Sequence, residues 1–374
     1  MPDETKSDVA PATKQAGTLK RLGQAFHHYI GWKRVGLVAS LAVIAAAIAV
    51  LFKLLKGVDS YLVMLAMQEK TLSQVGLAAL CILGAYFTLT FYDLLALRTI
   101  GRKDVPYRIA ALSSFTSYTI GHNLGATVFT GGAIRYRIYS EWGLNAIDVA
   151  KICFISGLTF WLGNAFVLGF GMAYHPEAAS AVTQLPTWAN RAIALACLGG
   201  IIAYLGWLAM KPRQIGRNGW KVVLPSAKLT LLQILIGVVD LGFCALAMKV
   251  LMPESPPIDF MSLSVVFIFA TLLGFASHAP GSLGVLEASM LIALPQFGKE
   301  SLLGTLLVFR LLYFIIPFAI ALTIMGCREI WLNIIEPWQR RRRAIEAAAC
   351  ADNGNGNGVA VAVQAVETKP HQPR

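Results

Sequence analysis

Apolar residues gather along the chain into six runs near the roughly 20 residues that a bilayer-spanning helix needs: 35–52, 75–97, 152–174, 191–210, 229–250 and 302–326. Two further apolar stretches are poor lipid-facing helices. Residues 109–133 are rich in Gly, Ser, Thr, His and Asn, and residues 261–297 carry SHAPGSLGVLEA in their middle. The pattern predicts an all-α, polytopic inner-membrane protein with six full spans and two re-entrant hairpins; eight spans is the alternative.

Loop charges decide between the two. Residues 1–34 carry six Lys/Arg, 98–108 four, 211–228 five, and the tail from Cys327 seven, whereas 175–190 carry none. If 109–133 crossed once, the five-cation loop would lie outside, against the positive-inside rule. If 109–133 dips in and returns, 25 of 32 Lys/Arg lie inside. The second stretch must then start and end outside, and both termini are cytoplasmic. Span 75–97, its dip and span 152–174 form one unit; span 229–250, its dip and span 302–326 form an inverted one. Broken segments at matching places in inverted units point to a transporter-like site near the bilayer midplane. The alternative is that Gly merely permits close packing, as GxxxG does at Gly121–Gly125. Gly132-Ala-Ile-Arg135 against Gly284-Val-Leu-Glu287 is the best local match between units.

Composition agrees. Of 374 residues 56% are apolar and only 14% charged, with 33 Gly; soluble domains average about 25% charged. That excludes an ordinary soluble enzyme and a disordered chain. The net charge of +12 accompanies long apolar runs, so it reads as cytoplasmic flanks facing anionic lipid, not as a nucleic-acid surface. Six scattered cysteines lack CxxC spacing and suggest neither a disulfide frame nor a metal site. No cleavable signal is expected. The chain divides into a cytoplasmic segment 1–34, a transmembrane domain 35–326 and a basic, disordered tail 327–374. Residues 331–343, with two Trp beside four Arg, read as an interfacial segment or a stop-transfer cluster.

Charge inside hydrocarbon costs about 2.5–3.5 kcal/mol on insertion scales, so each such residue needs a partner or a cavity. Asp240 and Arg310 lie within spans of one unit and could pair, or serve a headgroup or proton. Glu287 follows Pro280-Gly281-Ser282-Leu283-Gly284, where a half-helix is expected to begin near Ser282. The freed amides there favour an anion, and Glu287 either caps them or holds a substrate cation or proton. Arg135 and Arg137 follow Gly131-Gly132, where a ligand can approach the backbone closely; their forked donors fit phosphate, or they are positive-inside residues at the interface. His122, Asn123 and His278 fall near the hairpin tips. Asp93 is expected to pair locally with Arg98. Catalytic motifs are absent from the sequence, and neither a catalytic residue nor a cofactor is expected.

Residues 121–144 resemble the transmembrane domain of bacterial lysylphosphatidylglycerol synthases, the multiple peptide resistance factor family. The shared run is Gly131, Gly132, Arg135, Tyr136, Arg137, Tyr139, Trp142 and Gly143; a second motif is Pro280, Gly281, Leu283, Gly284 and Glu287. The resemblance covers roughly 30–335. It implies membership of a bacterial inner-membrane family in which this domain flips aminoacylated phosphatidylglycerol between leaflets. With the chain ending at Arg374 and no aminoacyltransferase domain in it, the expectation is translocation of an anionic phospholipid or lipid-linked molecule without aminoacylation. A homo-oligomer or a partner lipid synthase is compatible with this. Rival readings are an intramembrane lipid-modifying enzyme, a scaffold for a lipid synthase and a small-solute transporter.

Overall fold

A computed structural model describes residues 70–335, apart from 126, 212, 218 and 219, together with Tyr61. The expected span 35–52, segment 1–34 and most of 327–374 lie outside the described residues. Within them the protein is all-α, with five helices long and apolar enough to cross a membrane. These are α1 (Leu72–Thr99), α4 (Ala146–Tyr174), α6 (Thr187–Met210), α7 (Ala227–Leu251) and a long helix over Lys299–Asn333. Each starts a few residues before its apolar run, and on three of them a polar cap begins the helix. Thr71 and Gln74 form a capping box on α1, Asn145 and Asp148 another on α4, and Ser226 accepts from Leu229 N on α7. Such caps satisfy amides that have no intrahelical partner.

The two odd stretches are hairpins. The first is α2 (Tyr107–Leu124) and α3 (Thr127–Tyr139), broken at Gly125, φ +74°. Gly121 packs on Thr127 and Gly131 on Ser117, so the arms run antiparallel. The second is α8 (Phe260–Ala276) and α9 (Val285–Ala293), joined through a 3-10 turn at Pro280–Ser282. The returning arms have 13 and 9 residues. At 1.5 Å per residue they are about 20 and 14 Å long, short of a ~30 Å hydrocarbon core.

The hairpins open at opposite ends of the bundle. At one end Leu97, Val105, Tyr139, Leu144, Val222 and Met325 share a core. Arg102 there donates to Trp142 O at 2.6 Å, tying the loop before α2 to the turn after α3. Its hydrogen bonds hold the exposed Asp104 carboxyl below the usual carboxylate range. The other core gathers Met172, Ala179, Leu251, Leu263, Leu294 and Leu302. Both α8 and α9 touch a short helix α5 (Pro176–Thr183) there, inside the loop that carries no Lys or Arg. The basic loop after α6 folds as an antiparallel pair, β1 (Gln214–Arg217) and β2 (Trp220–Val223). Neither α5 nor this ribbon is legible as an element in the hydropathy.

The long helix divides into α10 (Lys299–Arg310), a π-helical turn Leu311–Ile315, and α11 (Ile316–Ile330), with a second π turn from Trp331. Pro317 has no N–H to give the Tyr313 carbonyl, four residues earlier, which loosens the helix here. Tyr86 instead donates to Tyr313 O at 2.8 Å.

Candidate functional site

The tips of the two hairpins meet. A Cβ added at Gly125 would stand 2.7 Å from the His278 carbonyl oxygen, so only glycine permits the contact. Asn123 donates to Thr119 O and reaches Phe314 O, midway along the long helix, at 3.5 Å. The His122 ring stands edge-on to Phe275 with centroids 4.5 Å apart, and edge-on to Tyr118. His122, Asn123 and His278 therefore do lie at the tips. On the outer side of this junction Val128, Phe129, Ser277, His278, Leu283 and Gly284 are exposed. Polar groups exposed within a bilayer's hydrocarbon require a wet cavity or protein cover, because hydrocarbon offers no hydrogen bonds.

Each hairpin carries a clasp of opposite charges. In the first, Asp93 of α1 is wholly buried and Arg135 is 5% exposed. Arg135 grips Asp93 through Nε, at 3.1 and 3.0 Å, and Nη2, at 2.8 Å. Tyr139, Ser113 and Ser156 also donate to Asp93, at 2.9, 3.2 and 3.1 Å. The guanidinium lies over the Tyr118 ring. The expected pairing of Asp93 with Arg98 is therefore corrected. Arg98 sits at the helix end and donates to Lys103 O, while the folded-back arm places Arg135 directly at the carboxylate.

In the second hairpin, Arg310 of α10 binds Glu287 of α9, with Nε at 2.9 Å, and donates from Nη1 to Gly281 O at 3.0 Å. Glu287 accepts in turn from Gly284 N at 2.9 Å. The half-helix starts at Val285, three residues later than expected. Gly281, Ser282 and Gly284 all have positive φ, which ends the 3-10 turn before a helix can form. The suggested Asp240–Arg310 pair does not form: Arg310 faces the hairpin. Asp240 meets hydroxyls instead, Tyr92 donating at 3.1 Å and Thr88 lying at 3.4 Å.

Arg137 is engaged as well. It donates to Glu141 Oε1 at 2.7 Å and to Glu329 Oε2 at 2.8 Å, while Arg328 donates to Glu141 Oε2 at 2.7 Å. This network ties the end of α3 to the end of α11. Tyr136, between Arg135 and Arg137 in the sequence, is exposed, whereas Gly131 is buried against α2 and Gly132 faces Cys153. Residues missed in the sequence include Thr88, Tyr92, Glu141, Arg328 and Glu329. Only Glu141 had a local signal, its i,i+4 spacing from Arg137.

The fold and these clasps define a multi-pass helical membrane protein with two inverted, tip-to-tip hairpins. No protein-family model matches the chain. It is 31% identical over 288 residues to Inner membrane protein YbhN of Escherichia coli, covering 74% of this chain and 84% of that protein. It is 30% identical over 260 residues to protein slr0712 of Synechocystis sp., covering 69% and 78%. A Phosphatidylglycerol lysyltransferase of Staphylococcus aureus is 23% identical over 242 residues, 63% of this chain but 27% of that enzyme. The chain belongs to the family of YbhN and slr0712, the lysylphosphatidylglycerol synthase transmembrane-domain family.

Proposed function

We propose that this protein moves an anionic phospholipid, or a lipid-linked molecule, between the leaflets of a bacterial inner membrane, with both termini cytoplasmic. The observation that carries this reading is the meeting of two oppositely opening hairpins, with Ser277, His278 and Gly284 exposed beside the junction. A headgroup needs such a polar step midway, and its tails can remain in lipid beside Val128 and Phe129. The family's link to a phosphatidylglycerol-modifying enzyme supports a lipid substrate.

On this reading the roles divide between the hairpins. Arg137, with Tyr136 beside it, receives phosphate at the end that gathers the Lys/Arg-rich loops. Arg135, held by Asp93, braces the Gly131–Gly132 arm. At the other hairpin Arg310 neutralises Glu287 at the start of α9, so an incoming phosphate competes with Glu287 for Arg310. His122 and Asn123 pack the tip, and His278 faces the headgroup.

The test is protein reconstituted in liposomes containing fluorescent phosphatidylglycerol, with leaflet exchange read by quenching of the outer dye. Protein-dependent exchange is expected, lowered at least tenfold by Glu287→Gln in a variant that still folds. Unchanged exchange in Glu287→Gln would refute these roles. A chemically altered lipid on mass spectrometry would replace translocation by enzymology.

A further inference from the structure

The side chain that the clasps leave over is Asp240. It is 5% exposed at the middle of α7. Among the described residues no cation lies within 4.0 Å of it. The titratable groups around it are Cys81, Tyr86 and Tyr92 of α1, Tyr118 of α2, Tyr313 of the π turn and Cys244 of its own helix. Against α7, α8 carries no titratable group, and neither does the 154–173 stretch of α4. Helix α6 contributes Arg191, which donates to Ala173 O, Cys197, which donates to Ala165 O, and Tyr204. Helix α10 contributes Lys299 and Glu300 at its start and Arg310, which is held by Glu287. Arg135 is held by Asp93. Arg135, Arg191 and Arg310 are thus engaged by other acceptors and Lys299 stands at the far start of α10, so ionising Asp240 would strip a carboxylate of water with no counter-charge in return.

Thr88 Oγ1 lies 2.7 Å from Ala85 O and 3.4 Å from Asp240 Oδ1. A hydroxyl has one hydrogen, and the carbonyl can only accept. With that hydrogen on the shorter contact, Thr88 can share it only weakly with Oδ1, whereas a proton on Asp240 would make the Oγ1–Oδ1 contact a full hydrogen bond. Tyr92 fills the other oxygen, Oδ2.

We propose that Asp240 is a proton-binding site: it carries a proton on Oδ1 in this conformation and gives it to water when the hairpins part, coupling transport to the proton gradient. The O–H bond of the acid breaks, hydronium forms, and the carboxylate is reprotonated from the other side. The coupling rests on the translocation reading; the proton site itself does not.

The experiment therefore has two arms on the full chain in liposomes of phosphatidylethanolamine and phosphatidylglycerol. Infrared difference spectroscopy at pH 7 should show a protonated-carboxyl C=O band that Asp240→Asn abolishes and Tyr92→Phe shifts. Should the band be missing, or survive in Asp240→Asn, the proton site is refuted. Tyr92→Phe keeps this arm decisive if the Asn variant does not fold. In the second arm, leaflet exchange of fluorescent phosphatidylglycerol should accelerate at least fivefold under an imposed pH gradient, and Asp240→Asn should abolish that acceleration. A band without gradient dependence overturns the coupling. No exchange in the wild type with the band present defeats the translocation reading and keeps the proton site.

Discussion

The two hairpins use one device in two ways. In each, a charged residue stands three positions after a glycine on the returning arm, Arg135 after Gly132 and Glu287 after Gly284, and bonds an opposite charge on a spanning helix. The signs are exchanged and so is the setting. Asp93 is enclosed by Arg135 and three hydroxyls, so the first clasp is fully satisfied. Glu287 is 18% exposed and shares itself between Arg310 and a backbone amide beside an open tip. A closed clasp holds an arm in place; a half-open one can exchange partners with a ligand. On the proposed reading, the Asp93–Arg135 clasp braces its hairpin and the Glu287–Arg310 clasp meets substrate.

The comparison predicts a graded set of effects. Removing one partner of the enclosed pair leaves an uncompensated buried charge, so Asp93→Ala should cost about 3–5 kcal/mol. Thermal unfolding in detergent should show the loss, and Asp93→Asn with Arg135→Gln should recover part of it. The half-open pair should separate stability from function. Glu287→Gln should cost about 1.5–3 kcal/mol yet remove most lipid exchange. An equal stability loss at both sites would erase the distinction between the hairpins. At the junction, Gly125→Ala places a methyl against the His278 carbonyl at positive φ, a strain of about 1–3 kcal/mol; added reactivity of a cysteine at position 277 would report parted tips. The smallest effect belongs to Asp259, the N-cap of α8, which accepts from Ser262 N at 3.0 Å. Asp259→Ala should cost about 0.5–2 kcal/mol and Asp259→Asn little, since Asn caps equally well. That backbone bond holds the Asp259 carboxyl below its usual range. Its contribution is therefore present at neutral pH and lost as pH falls through the folded-state value; stability that rose on acidification through this site would contradict it.

Much of the fold was legible because hydropathy and loop charge are local. The described spans lie where the apolar runs fall, and the Gly-, Ser- and Thr-rich breaks mark both hairpins. Partner choice was not legible. Arg135 meets Asp93 across 42 positions only because the first hairpin folds back, and local spacing favoured Arg98 instead. Arg310 and Asp240 are residue types of opposite formal charge on neighbouring spans, but Arg310 points to the hairpin, where Glu287 and the Gly281 carbonyl both need its donors. Short elements such as α5 and the β1–β2 ribbon escaped because eight and four residues carry too little periodicity to register. The tip-to-tip contact was foreshadowed by glycine, histidine and asparagine, yet Gly125 meeting His278 is a matter of tertiary geometry.

The arrangement of the hairpins is tested most directly by labelling single cysteines with a membrane-impermeant thiol reagent in a cysteine-free background. Asp104→Cys marks the open end of the first hairpin and Gly298→Cys that of the second. Position 104 should react only in inverted membrane vesicles and position 298 only in intact spheroplasts. Labelling of both from one face would contradict opposed hairpins, and reversed labelling would contradict the cytoplasmic placement of the basic loops.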